Sequence, residues 1–291
     1  MTKNKRTINL DVFDLNIRNI DSQIKNINTD ISVSMSYVRR AQGLSFKQLE
    51  QRFSGLKGDT LKRYMQQSYP SMRPLHVVAA YSWVTMVPMT CFYYKTFYPD
   101  IDMDTLEVFM CIGILPSEQF RVVIDLIVNM LSEENKISFL KYKEEKDKLY
   151  LDEEYDYSLL FPPDVLDINL FAIDYYRSIA IKTRSYREEN NISVEQACKM
   201  TGLSKYQFNV FENPNNITDL SASVGFRVTI GLKLNSYEHF TSEMKQYRNF
   251  HYLRRLQHIR GSLIIDALKR LNEKDKFELI QILKHLSKIY R

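Results

Sequence analysis

The chain has 291 residues, 44% of them hydrophobic and 26% charged, with 40 Lys and Arg against 35 Asp and Glu. This balance describes an ordinary globular protein of about two domains. Three widely spaced cysteines (Cys91, Cys111, Cys198) argue against a disulfide framework or a zinc site and for a reducing compartment, and the basic start "MTKNKRTINLDVFDLN" lacks the apolar run of a signal peptide.

In chain order, the pattern is helical almost throughout. "MSYVRRAQG" forms an amphipathic helix that stops at Gly43, a residue suited to the position just past a helix end. Ser45 caps the next helix, its hydroxyl placed to accept from the Gln48 N–H, with Leu49 and Phe53 on one face. Gly55 and Gly58 bracket a turn, Lys57 or Asp59 opens a third helix, and Leu61, Tyr64 and Met65 face inward. "QQSYPSMRP" is a loop, and Leu75, Val78 and Tyr81 begin a fourth helix. Residues 77–94 carry no charge over 18 positions, the lower end of a membrane-span length, but Ser82, Thr85, Pro88 and Thr90 interrupt them. That stretch reads as a buried helix followed by a turn.

"LSFKQLEQRFSGLKGDTLKRYM" (Leu44–Met65) has a counterpart about 148 positions later, "ISVEQACKMTGLSKYQFNVFE" (Ile192–Glu212). Each runs aliphatic residue, Ser, two helical turns, a Gly break and a second helix. Short helices joined this way cannot bury their inner faces alone, so flanking helices complete a core. The second helix then keeps one face outside, able to enter a DNA major groove. Both segments resemble the Cro- and phage-repressor-type helix-turn-helix, the XRE family. The later one matches without a gap: Ile192–Ser193 start it, Ala197 is the inner position, Gly202–Leu203–Ser204 make the turn, and Phe208, Phe211 and Glu212 follow. The earlier one has one extra residue in its turn, "SGLKG". Both differ from the family where a Gln commonly touches phosphate, carrying Phe46 and Val194 instead.

"VVIDLIVNMLSEENKISFLKY" resembles "LIIDALKRLNEKDKFELIQIL" if one residue is skipped, so that Asp125 pairs with Asp266 and Leu131 with Leu271. Two features in the same order suggest duplication of a whole unit. The expected fold is therefore all-α: two repeated helix-turn-helix domains, lambda-repressor-like, each followed by a helical pair. The expected divisions are an extension at 1–30, a first domain at 31–98, a helical packing segment at 99–150, a flexible acidic linker at 151–174, a second domain at 175–240 and a basic helical segment at 241–291. The linker region Glu144–Asp167 has net charge −7, and the tail Lys245–Arg291 has net +8. In the tail, "YLRRLQHIR" offers further phosphate contacts, although a packing role is the preferred reading.

Charge separates the two motifs: Ser32–Pro74 carries net +6, Lys182–Asn216 net +1. DNA presents one negative charge per about 1.7 Å of duplex, so the first motif is favoured as the DNA contact. The resemblance places candidate DNA contacts at Lys57, Gly58, Thr60, Lys62, Arg63 and Gln66, and at Ser204, Lys205, Tyr206, Gln207 and Asn209. Gln207 and Asn209 suit paired contacts to adenine. The five histidines show no metal-holding spacing and no phosphate loop appears, so no enzyme activity, cofactor or metal is expected. The resulting expectation is a cytoplasmic, sequence-specific regulator of transcription on double-stranded DNA, acting as a homodimer or an intramolecular pseudo-dimer. No membrane contact is expected, and any effector is unspecified. The competing expectation is an interaction module in which the second motif no longer touches DNA.

Overall fold

The computed structural model describes residues 15–94, 103–148, 157–234, 239–240 and 244–290, and these are predominantly helical. The first series is α1 (15–24), α2 (Ile27–Ala41), α3 (Phe46–Gln51), α4 (Gly58–Tyr64), α5 (Leu75–Val84), α6 (Met103–Ile112), α7 (Ser117–Met130) and α8 (Glu133–Asp147). The second is α9 (Ile168–Glu189), α10 (Val194–Thr201), α11 (Lys205–Phe211), α12 (Ala222–Gly231), α13 (Arg248–Arg270) and α14 (Glu273–Ile289). Two short strands, β1 (Phe53–Ser54) and β2 (Leu166–Asp167), pair in parallel. None of the described helices is long and apolar enough to cross a membrane; α5 is buried along its whole length.

Local chemistry recurs between the series. Ser45 and Ser193 each accept from the backbone N–H three residues on, and Gln48 and Gln196 return the bond. Six described residues have positive φ, and they fall into three pairs at near-constant offset: Gly43 with Asn191, Gly55 with Gly202, Met86 with Lys233. Around the first pair, Leu44 N–H donates to Arg39 O and Ile192 N–H to Arg187 O. At the third, Val87 N–H donates to Ser82 O and Leu234 N–H to Thr229 O.

The series also hold each other reciprocally. Leu75 N–H donates to Leu220 O and Ala222 N–H to Arg73 O, across an antiparallel bridge of Pro74 and Ser221. α5 packs on α9, and α12 on α2. α14 packs on α6, and α8 on α13. One apolar core runs through both, and Trp83 sits near its centre with Phe171, Tyr247 and Phe250 around it.

Several sequence boundaries move. α1 and the start of α2 occupy the second half of the expected extension, burying Ile20, Ile24 and Ile27. The described part of the expected linker is built in: Tyr157, Leu160 and Leu166 are buried, and Asp167 caps α9 by accepting from Asn169 and Leu170. α9 therefore starts before the second domain was expected to; residues 151–156 and 95–98 lie outside the described residues. The helical-pair register also changes. The extended breaks Leu131 and Leu271 align, and so do buried Val123 with Leu263, Ile124 with Ile264 and Ile127 with Ala267. No residue is skipped, so Asp125 corresponds to Ile265 and not to Asp266.

Two of the three arginines in "YLRRLQHIR" are interior, and the third, Arg255, is half-buried. Arg254 and Arg260 are each 2% exposed. Arg254 donates to Val87 O and Ser82 Oγ, and Arg260 to Leu115 O and Ser117 Oγ, closing chain ends that follow α5 and α6. They make no phosphate-facing surface.

Candidate nucleic-acid interface

The α3–turn–α4 segment is positioned from beneath and behind. Leu49, Phe53, Leu56, Leu61 and Met65 are buried, so the remaining face of α4 must point outward. The turn is held by chain from the other series: Arg52 donates to Asp164 O at 2.8 Å and Pro163 O at 3.3 Å, and Leu166 N–H returns a bond to Arg52 O. Behind α4, Arg73 is buried and donates to the carbonyls of Tyr64, Gln66, Tyr69 and Ser71, fixing the loop that leaves the helix. Arg39 stacks on Phe46 at 4.5 Å and donates to Leu44 O. Phe46 thus anchors a guanidinium at the position where relatives of the resembled family present Gln.

Of the eight basic residues between Ser32 and Pro74, three (Arg39, Arg52 and Arg73) therefore serve the scaffold. Lys57, Lys62 and Arg63 are exposed and make no ion pair among the described residues; Thr60 is half-buried and Gln66 exposed beside them. Gly58, expected as a contact, is buried. A Cβ there would stand 2.9 Å from Glu50 Oε2 and 3.2 Å from Phe46 O, so Gly58 sets the close approach of α4 to α3.

The α10–turn–α11 segment has the same frame and a different face. Ser204 and Gln207 form a capping box: Ser204 Oγ accepts from Gln207 N–H, and Gln207 Oε1 accepts from Ser204 N–H at 3.0 Å. A paired adenine contact needs that same oxygen, so Gln207 supports the helix end. Lys205 is bonded to Glu195 Oε1 at 3.1 Å, across the turn. The Glu195 carboxyl lies below its usual pKa, held there first by its own backbone N–H and then by Lys205. What remains outward and uncommitted is Tyr206, 78% exposed, and Asn209.

Glu212 ends α11 inside the protein. It takes Arg187 Nε at 2.8 Å, and its backbone carbonyl accepts from Arg184. Both contacts tie α11 to α9, while the corresponding residue in the first series is Met65. Sequence reasoning missed Glu195 as the neutralising partner; overlaying the two motifs places it opposite Lys47, which signals the reversal of charge.

A cavity of about 160 Å³ opens among Met89, Tyr93, Phe109, Arg254, Gln257 and Gly261, where the two series meet. Its principal polar groups are already spent on the protein: Gln257 donates to Met86 O and Arg254 to Val87 O. Among the described residues, no group of three His, Cys, Asp or Glu could hold a metal ion. Comparison with family models, with curated proteins and with solved structures found no match.

Proposed function

We propose that this chain is a sequence-specific double-stranded DNA-binding regulator of transcription, resembling the Cro- and phage-repressor-type helix-turn-helix, with two such units in tandem. The observation that carries the reading is α4. Its inner residues are locked into the core, and its outer face presents Lys57, Lys62 and Arg63 without acidic partners among the described residues. A short rigid helix with unpaired cations beside Thr60 and Gln66 suits a major groove, where phosphates position it and base edges specify it. Of the residues expected from sequence, Lys57, Thr60, Lys62, Arg63, Gln66, Tyr206 and Asn209 stay as contacts. Gly58, Ser204, Lys205 and Gln207 act through the helices they hold.

A selection of bound duplexes from a random pool, followed by anisotropy titration, tests this. One enriched motif is expected, and Lys62→Ala with Arg63→Ala should weaken its binding about 100-fold while helicity stays unchanged. No enrichment above random duplex sinks the proposal. The neutral surface of α11 supports a second reading, that this helix meets protein instead of DNA; footprints that never extend beyond one half-site would favour it.

A further inference from the structure

The geometry points to a single-chain pseudo-dimer that occupies one DNA site of two unlike halves: a basic half under α4 and a neutral, A·T-containing half under α11. This inference rests on the DNA-binding reading above.

In a two-fold pair, residue i of one copy meets j of the other, and j meets i in return. Four independent contacts obey that rule inside this one chain. The first is the bridge, where Leu75 meets Leu220 and Ala222 meets Arg73. The second joins α2 and α9 each to the opposite series: Asn28 Nδ2 donates to Ser223 Oγ at 3.4 Å, and Tyr176 Oη meets His76 Nδ1 at 2.7 Å. Asn28 and Tyr176 correspond, as do Ser223 and His76. Each of the former also accepts from an equivalent N–H of its own series, that of Arg73 or Leu220.

The third contact exchanges leading segments. A Cβ on Gly202 would stand 3.3 Å from Ile17, and one on Gly55 would stand 3.1 Å from Ile168 and Asn169. Arg227, beside the Gly202 turn, is also bonded to Asp21 of α1. Each motif's turn is therefore seated on the segment that opens the other series. The fourth is at the level of whole helices: the last helix of each series packs on the other series, α8 on α13 and α14 on α6.

These contacts relate the two series by an approximate two-fold axis near the Pro74–Ser221 bridge. A half-turn keeps height along its axis, so α4 and α11 stand at one level on either side of it. The surfaces a homodimer would use to pair readers are consumed within the chain. A palindrome needs identical readers, and these differ. Lys62 and Arg63 supply phosphate or guanine contacts. At α11, the Asn209 amide matches the N6/N7 edge of adenine, and the Tyr206 ring offers apolar contact to a thymine methyl.

The test uses the full chain on its selected duplex, with light scattering of the complex and hydroxyl-radical footprints of wild type and Tyr206→Ala with Asn209→Ala. Both side chains are exposed, so folding is unaffected, and circular dichroism checks it. The expected result is one chain per site, with protection lost over one half only and affinity about tenfold lower. Two chains on a symmetric site, indifferent to those substitutions, would overturn the pseudo-dimer and leave the DNA-binding reading standing. Failure to bind any duplex overturns that reading and this inference with it.

Discussion

α4 and α11 occupy corresponding places in two series that share capping boxes and left-handed turns, yet they differ in how charge is spent. In α4, a glycine lets the helix approach α3 closely, the N-cap Lys57 makes no side-chain cap, and Lys62 and Arg63 are left outward. In α11, the cap is a Ser–Gln box, Lys205 stands where the first series has Gly58 and is neutralised by Glu195, and Glu212 ties the helix end to Arg187. The frame is thus reproduced by backbone and burial. The outer surface is set independently, by a few polar substitutions that cost the frame little. Two segments built on one frame thus differ in how charge is spent: α4 keeps its cations outward, and α11 spends its charge on internal fixation.

The largest effect should come from breaking the internal fixation of α11. Glu212 is 5% exposed, and its removal takes from the half-buried Arg187 its closest carboxylate, leaving it Glu188 at 3.7 Å and the Ile192 carbonyl. Glu212→Ala should therefore lower unfolding free energy by about 3–5 kcal/mol in denaturant titration. A loss under about 1 kcal/mol would show that the pair does not hold the helix.

Acid should expose the next difference. Burial, opposed by Asp219, lowers the His76 pKa to about 4, while the corresponding Ser223 does not titrate. The unfolded value is about 6.5, so the folded state binds the proton less well. Stability is then fully present above pH ~6.5 and is lost as pH falls toward 4, by about 3 kcal/mol from this residue. His239, lowered to about 3, and His258, lowered to about 4, both mainly by burial, add to the slope. His76→Ser should make the decline between pH 6.5 and 4 shallower; an unchanged slope would contradict a neutral His76.

The smallest effect sharpens the surface contrast. Glu195→Gln releases Lys205 without touching the core, because both are exposed. Stability should stay essentially unchanged, and DNA affinity should rise several-fold at low salt as one more cation becomes available. Reduced affinity would place Glu195 itself among the DNA contacts.

Much of the frame was legible in sequence because it rests on local chemistry. Ser45 and Ser193 announce helix starts, Gly43 and Gly202 announce ends, and the apolar spacing of Leu49, Leu61 and Phe208 gives the inner faces. Other features depend on partners distant in the chain. Arg52 meeting Pro163 and Asp164, and Ile17 meeting the Gly202 turn, leave no local signature. The linker reads as flexible from its acids, yet Tyr157, Leu160 and Leu166 anchor its later part. Arg254 and Arg260 look like surface cations because composition does not say which charges face carbonyls inside. At the site, charge counting ranked the motifs, but only side-chain geometry separated Lys205 and Gln207, which are committed to the protein, from Lys62 and Arg63.

The salt dependence of binding to the selected duplex tests the central contrast most directly. Each phosphate-neutralising cation contributes about 0.9 to the slope of log K against log salt. Lys62→Ala with Arg63→Ala should reduce the slope by up to about 2, whereas Tyr206→Ala with Asn209→Ala should weaken binding and leave the slope unchanged. Equal slopes for wild type and the Lys62/Arg63 variant, or a reduced slope for the Tyr206/Asn209 variant, would contradict the assignment of a basic reader to α4 and a neutral one to α11.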